Sequence, residues 1–216
     1  PQETAWSCYL GVFMEDFTGT LALTTDGGSV WERNSEWDIE DLLAPCDAVG
    51  ERYQPACFYY SFVVRQHKLH EQSDGEDMDA YRTFLDACAA IEAAAIRASC
   101  FSGVGRSFTA PSSPDFSVSD AHGWCSDAPQ DADRAACIYG LNSSYATFGI
   151  NIEEALSVCA QADSPLMHEG CYRGLFDGVE NGAADAREAL CRGETEGQCE
   201  EALKMYPADA QPFVRR

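Results

Sequence analysis

The chain has 216 residues, of which 45% are hydrophobic, so it can bury a packed core and is not globally disordered. Its 36 acidic residues against 14 basic ones give a net charge of −22, which repels phosphate backbones and argues against nucleic-acid partners. No stretch reaches the roughly 20 apolar residues that cross a bilayer, and the start at Pro1, without a signal-peptide core, reads as a processed or trimmed chain.

Residues 1–20 read as the second half of a helical repeat whose first half is missing. There Cys8-Tyr-Leu-Gly11 leaves Cys8 unpaired or bonded outside the chain, and Tyr9, Val12 and Phe13 become interface candidates. Residues 21–35 break the helical pattern. Thr20–Thr24 and Ser29–Arg33 flank Asp26-Gly27-Gly28, which predicts a short β-hairpin insertion. Helical units follow at about 36–74, 77–110, 115–149 and 151–182, with a shorter unit at 185–205 and a tail at 206–216. Segment 109–121, with Pro111 and Pro114, reads as a loop.

Within the first full unit, the aromatics of Phe58-Tyr59-Tyr60-Ser61-Phe62 cannot all face one core. They read either as core plus ordinary surface or, for Phe58, Tyr59 and Tyr60, as anchors for a partner. His67 and His70 share a helical face beside Glu71, half of a metal site without an indicated third ligand. The acidic run Glu71–Asp77 is out of register with a calcium-binding loop. In the next unit Tyr81, Phe84, Leu85 and Cys88 line one face, followed by Ile96, Cys100, Val104 and Phe108. Gly103-Val-Gly105-Arg-Ser107 falls inside that second helix, so it is not a phosphate loop. In the last full unit Asn151 is an expected N-cap before Ile152, Ala155, Leu156 and Cys159. Ser164-Pro165 opens a second helix through Cys171, Leu175 and Val179.

Eleven cysteines and no C-x-x-C argue for disulfides over metal or redox chemistry, and hence for an oxidising compartment. The expected pairs are Cys46–Cys57, Cys88–Cys100, Cys125–Cys137, Cys159–Cys171 and Cys191–Cys199. Aligning Cys8, Cys57, Cys100, Cys137 and Cys171 exposes a repeat of 34 to 49 residues, in which four of five units carry glycine three places on. Positions i and i+3 share a helical face, so this glycine is expected to let the two helices of a hairpin approach within reach of their disulfide.

This plan resembles the cysteine-rich Sel1-like and tetratricopeptide-like solenoids, in which each helical hairpin carries one disulfide. The resemblance is architectural and covers about residues 36–205. It implies an all-α, disulfide-stapled α-solenoid of four to five hairpins, and by analogy a protein–protein interaction role. The expected function is an extracytoplasmic interaction or scaffold module, periplasmic, secreted or on the outer face of a membrane, with protein partners such as other subunits of an assembly. The alternative is an enzyme or metal-binding protein with a site in the concave face. No cofactor and no catalytic residue is indicated. Asn142-Ser-Ser144 is a glycosylation sequon that matters only in a eukaryotic secretory route.

Overall fold

The structure is a computed structural model. It describes Tyr9, Val12, Phe13 and residues 41–72, 79–109 and 117–181, apart from the side chains of 64, 67–72, 79–80 and 180–181. Among these residues it contains seven helices and no strand: α1 (Gln54–Gln72), α2 (Asp79–Ala89), α3 (Ala94–Ser107), α4 (Val118–Ser126), α5 (Asp131–Phe148), α6 (Ile152–Cys159) and α7 (Pro165–Asn181). The expected insertion at 21–35, the unit at 185–205, the tail at 206–216, and Cys8, Cys191 and Cys199 lie outside the described residues.

Short and long helices alternate in a fixed design. Helices α2, α4 and α6 end at or one residue past a cysteine. After a loop of four or five residues, the partner cysteine is the seventh residue of α3, α5 and α7. That geometry brings Cys88 to Cys100, Cys125 to Cys137 and Cys159 to Cys171, each pair with Cα atoms 5.5 Å apart and bonded. Cys46 is likewise bonded to Cys57.

The first full unit departs from the expected hairpin. Cys46 sits among successive turns over 41–53, where Pro45 and Gly50 interrupt helical bonding, and not at the end of a helix. The buried Arg65 of α1 reaches back to donate to the Ala44 carbonyl and closes this segment onto the helix.

The long helices form one row, with α1 against α3, α3 against α5, and α5 against α7. The short helices lie outside that row, each on its own long partner, and α4 also touches α6. An inner helix with neighbours on three sides has little polar face left. Accordingly α5 is buried almost continuously from Asp133 to Ala146, with small residues and buried Asn142, Ser143 and Ser144 between its apolar ones. The apolar stripes are where the periodicity places them. Tyr81, Phe84, Leu85 and Cys88 of α2, and Ile96, Cys100, Val104 and Phe108 at α3, are all buried.

The repeated glycine has a different job from the expected one. A Cβ on Gly103 would lie 2.2 Å from the Phe58 carbonyl oxygen of α1, and one on Gly140 would lie 1.9 Å from that of Ser102 in α3. One on Gly174 would lie 2.4 Å from that of Tyr139 in α5. Each glycine therefore faces the preceding long helix, not the short helix to which its cysteine is bonded. Three residues turn a helix by about 300°, enough to swing the position from the outer row to the lateral neighbour. Gly170 and Gly178 extend the same contact along α7, against the carbonyl oxygens of Ala135 and Ser143.

Two local expectations are also refined. The loop assigned to 109–121 stops earlier, because Ser117 accepts from the Asp120 N–H and caps α4 from Val118. Asn151 holds the expected N-cap position of α6, its carbonyl accepting from the Ala155 N–H, but its side chain makes no capping bond and it sits in the left-handed region at φ 51°. At α7 the expected start holds, with Ser164 Oγ accepting from the Met167 N–H ahead of Pro165.

Candidate functional site

The side of the long-helix row opposite the short helices carries a line of polar groups contributed by all four long helices. Counted from the bonded cysteine of each helix, Tyr59 and Tyr139 are at +2 and Arg106 and Asp177 at +6. These offsets lie about 200° and 240° around the helix from the disulfide, so the groups point away from the outer row. Arg106 Nη1 donates to Tyr59 Oη at 3.1 Å, joining α3 to α1. Its guanidinium stands 5.1 Å and 5.2 Å from the ring centres of Tyr59 and Tyr60. Tyr139 Oη donates to Asp177 Oδ2 at 2.6 Å, joining α5 to α7. Glu169 and Arg173, an ion pair at 2.9 Å, precede Asp177 at four-residue steps on the same face of α7.

Burial keeps the phenols of Tyr139 and Tyr60 neutral. It pushes Tyr139 well above the ordinary tyrosine value, with Asp177 adding to the effect, and it also raises Tyr60. Tyr139 and Tyr60 therefore act as hydroxyl donors and acceptors, while Arg106 and Asp177 supply the charge. Tyr59 and Tyr139 are buried, whereas Tyr60, Arg106 and Asp177 are half-buried.

This arrangement revises the aromatic expectation. Phe58 and Tyr59 are not exposed anchors: Phe58 is 2% and Tyr59 8% exposed, because both pack at the junction of α1 with α3. Tyr60 alone of the three keeps partial access. Near the amino end, Tyr9 stacks edge-on against Tyr53 at 4.7 Å and Phe13 packs on the core, so both turn towards this chain. Val12 is 59% exposed. The side chains of His67 and His70 lie outside the described residues, and among the described residues no group of three or more His, Cys, Asp and Glu could hold a metal ion. Sequence reasoning missed Arg106, Tyr139 and Asp177. The shared +2 and +6 offsets from aligned cysteines were the signal that could have found them.

A second buried polar cluster lies between the two rows. His122 Nε2 and Asn142 Oδ1 are 3.0 Å apart, and Asn142 Nδ2 donates to Cys171 Sγ at 2.9 Å, with Cys159 Sγ and the Cys171 carbonyl at 3.3 Å. The amide oxygen must then accept from His122, which fixes the neutral ring with its proton on Nε2. Burial lowers the His122 pKa, against the opposing influence of Asn142 and Glu154. The folded chain thus binds this proton less readily than the unfolded one. The contribution of His122 to stability is intact above its unfolded value of about 6.5 and is lost as pH falls below it towards the folded value. In His122→Gln, neutral throughout, the melting temperature is expected to gain on the wild type between pH 6.5 and pH 5, with a constant difference above pH 7. A parallel pH dependence for both proteins would contradict this assignment.

Among the described residues no helix is long and apolar enough to cross a membrane. Comparison with protein-family models, with curated proteins and with solved structures found no match to this chain.

Proposed function

We propose that this chain is an α-solenoid of disulfide-stapled hairpins that works as a protein-interaction or scaffold module in an extracytoplasmic compartment, as an accessory subunit of a larger assembly. The observation that carries the reading is the inner face, to which four separate helices each contribute a tyrosine, an arginine or an aspartate. Tyrosine and arginine held by their own neighbours lose little freedom on binding, which makes them effective interface anchors. The four buried disulfides support the compartment, since cytosolic thiol buffers would hold such cysteines reduced.

The test is site-specific photocrosslinking in the native source, with the probe at Tyr60 on the inner face or at Glu153 on the exposed side of α6. A discrete partner is expected from position 60, absent from position 153. The same products from both positions, or none from either, would remove the interaction reading. Thiol alkylation before reduction is expected to leave the eight bonded cysteines unlabelled in protein taken from its own compartment.

A further inference from the structure

Arg106 differs from Arg97, Arg134 and Arg173 of the long-helix row in what neutralises it. Arg97 bonds Asp133 at 3.0 Å, Arg134 meets Asp131 at 3.3 Å and Arg173 bonds Glu169 at 2.9 Å, while outside the row Arg82 meets Asp127. Among the described residues no carboxylate bonds Arg106, although the chain carries 36 acids. Asp177, the acid on the same line of groups, instead takes the hydroxyl of Tyr139.

A guanidinium offers five N–H donors in a planar fork. Arg106 spends one of its nitrogens, Nη1, on Tyr59 Oη. The Tyr59 and Tyr60 rings are set edge to face, 5.1 Å apart at 88°, and flank the guanidinium as two walls at a right angle. Tyr59 Oη accepts from Arg106, which leaves its own proton to donate. The side chain is half-buried, so an incoming group would meet the fork in a partly dehydrated setting, where charge-assisted hydrogen bonds are stronger than in water.

We propose that Arg106, framed by Tyr59 and Tyr60, is a binding site for a monoanionic carboxylate. The planar carboxylate matches the guanidinium fork, and the aromatic walls favour an acid with an apolar or aromatic body. A dianion such as a phosphate monoester is disfavoured by Asp177 beyond Tyr139 and by the net charge of −22. The same chemistry reaches the site from two sources, a free small acid or the carboxylate of a peptide. The inference stands apart from the interaction role above, because a free acid would fill the site in the absence of any protein partner.

The test uses the intact, oxidised chain and calorimetric titration with benzoate, its neutral isostere benzamide, phenyl phosphate, and a short peptide ending in phenylalanine with a free or an amidated terminus. Saturable binding is expected for benzoate or the free-ended peptide, and at least tenfold weaker binding for benzamide, phenyl phosphate and the amidated peptide. Arg106→Lys keeps the charge but not the fork and is expected to weaken the carboxylate at least tenfold. Should that variant lose its helical circular dichroism, the wild type decides by itself. Phenylglyoxal modification of Arg106, mapped by mass spectrometry, is then expected to slow severalfold with a saturating carboxylate while that of Arg134 does not. Tighter binding of the free-ended peptide identifies a protein source, and tighter binding of benzoate identifies a small acid. No saturable carboxylate binding, equal binding of the neutral or dianionic probes, or unprotected Arg106 would each overturn the proposal.

Discussion

Replacing Gly140 by alanine is expected to destabilise the protein by about 3 kcal/mol or more, a large share of the roughly 5–15 kcal/mol by which folded domains are stable. The added methyl carbon would fall 1.9 Å from the Ser102 carbonyl oxygen and 2.9 Å from Ser102 Cα, both backbone atoms that cannot rotate away. Relief requires α3 and α5 to separate, which loosens the most central contact of the row. Alanine's better helix propensity returns only about 1 kcal/mol. Gly123→Ala is the matched control: that glycine is exposed in α4, and nothing lies within 4 Å of the point its new methyl carbon would occupy. It is expected to gain about 0.5–1 kcal/mol. At roughly 2–4 °C per kcal/mol for a chain of this size, thermal melts should move the two variants in opposite directions, with Gly140→Ala down by about 6 °C or more. Equal small shifts in both would show that the long helices do not approach as closely as described.

Removing the Cys159–Cys171 bond, as Cys159→Ala/Cys171→Ala, is expected to cost about 3–4 kcal/mol. The 12-residue separation corresponds to about 3 kcal/mol of lost loop-closure restraint. The buried Asn142 amide also loses its sulfur acceptors and keeps only the Cys171 carbonyl at 3.3 Å. The loss should be local, because α6 touches only α4, α5 and α7 among the helices with extensive contacts. Amide hydrogen exchange is expected to speed first in α6 and the start of α7, with protection retained in α2 and α3 around Cys88–Cys100. Uniform loss of protection from α1 to α7 would contradict a stack of locally stapled units.

What the sequence discloses follows from how local each interaction is. The bonded pairs within 46–171 are legible because each joins cysteines 11 or 12 residues apart, and for the three 12-residue pairs that distance is set by one helix end, one short loop and two helical turns. The faces of α2 and α6 are legible too, since a helix packed on one side keeps a clear apolar stripe. The glycine contact was misassigned because periodicity gives an angle around a helix without saying which neighbour occupies it, and Gly140 answers to a residue 38 positions earlier, Ser102. The Arg106–Tyr59 bond spans 47 residues and the Tyr139–Asp177 bond 38, so periodicity within one helix does not report them and only the shared offsets from the aligned cysteines point to them. Phe58 and Tyr59 read as surplus aromatics until α3 supplies the surface that covers them.

The fully buried Asn142 sets a conflict between folding and modification. Its amide is enclosed by His122 and the Cys159–Cys171 sulfurs, while Ser144, the third residue of its sequon, hydrogen-bonds to Thr109. A host that attaches glycans to Asn-x-Ser during secretion would reach this side chain only before α5 has joined α4 and α7. A chain modified at that moment could not close its centre, because a sugar tree has no room where the amide meets the sulfurs. Secretion from such a host would sort molecules by a race between transferase and collapse, and only unglycosylated winners would carry the native arrangement.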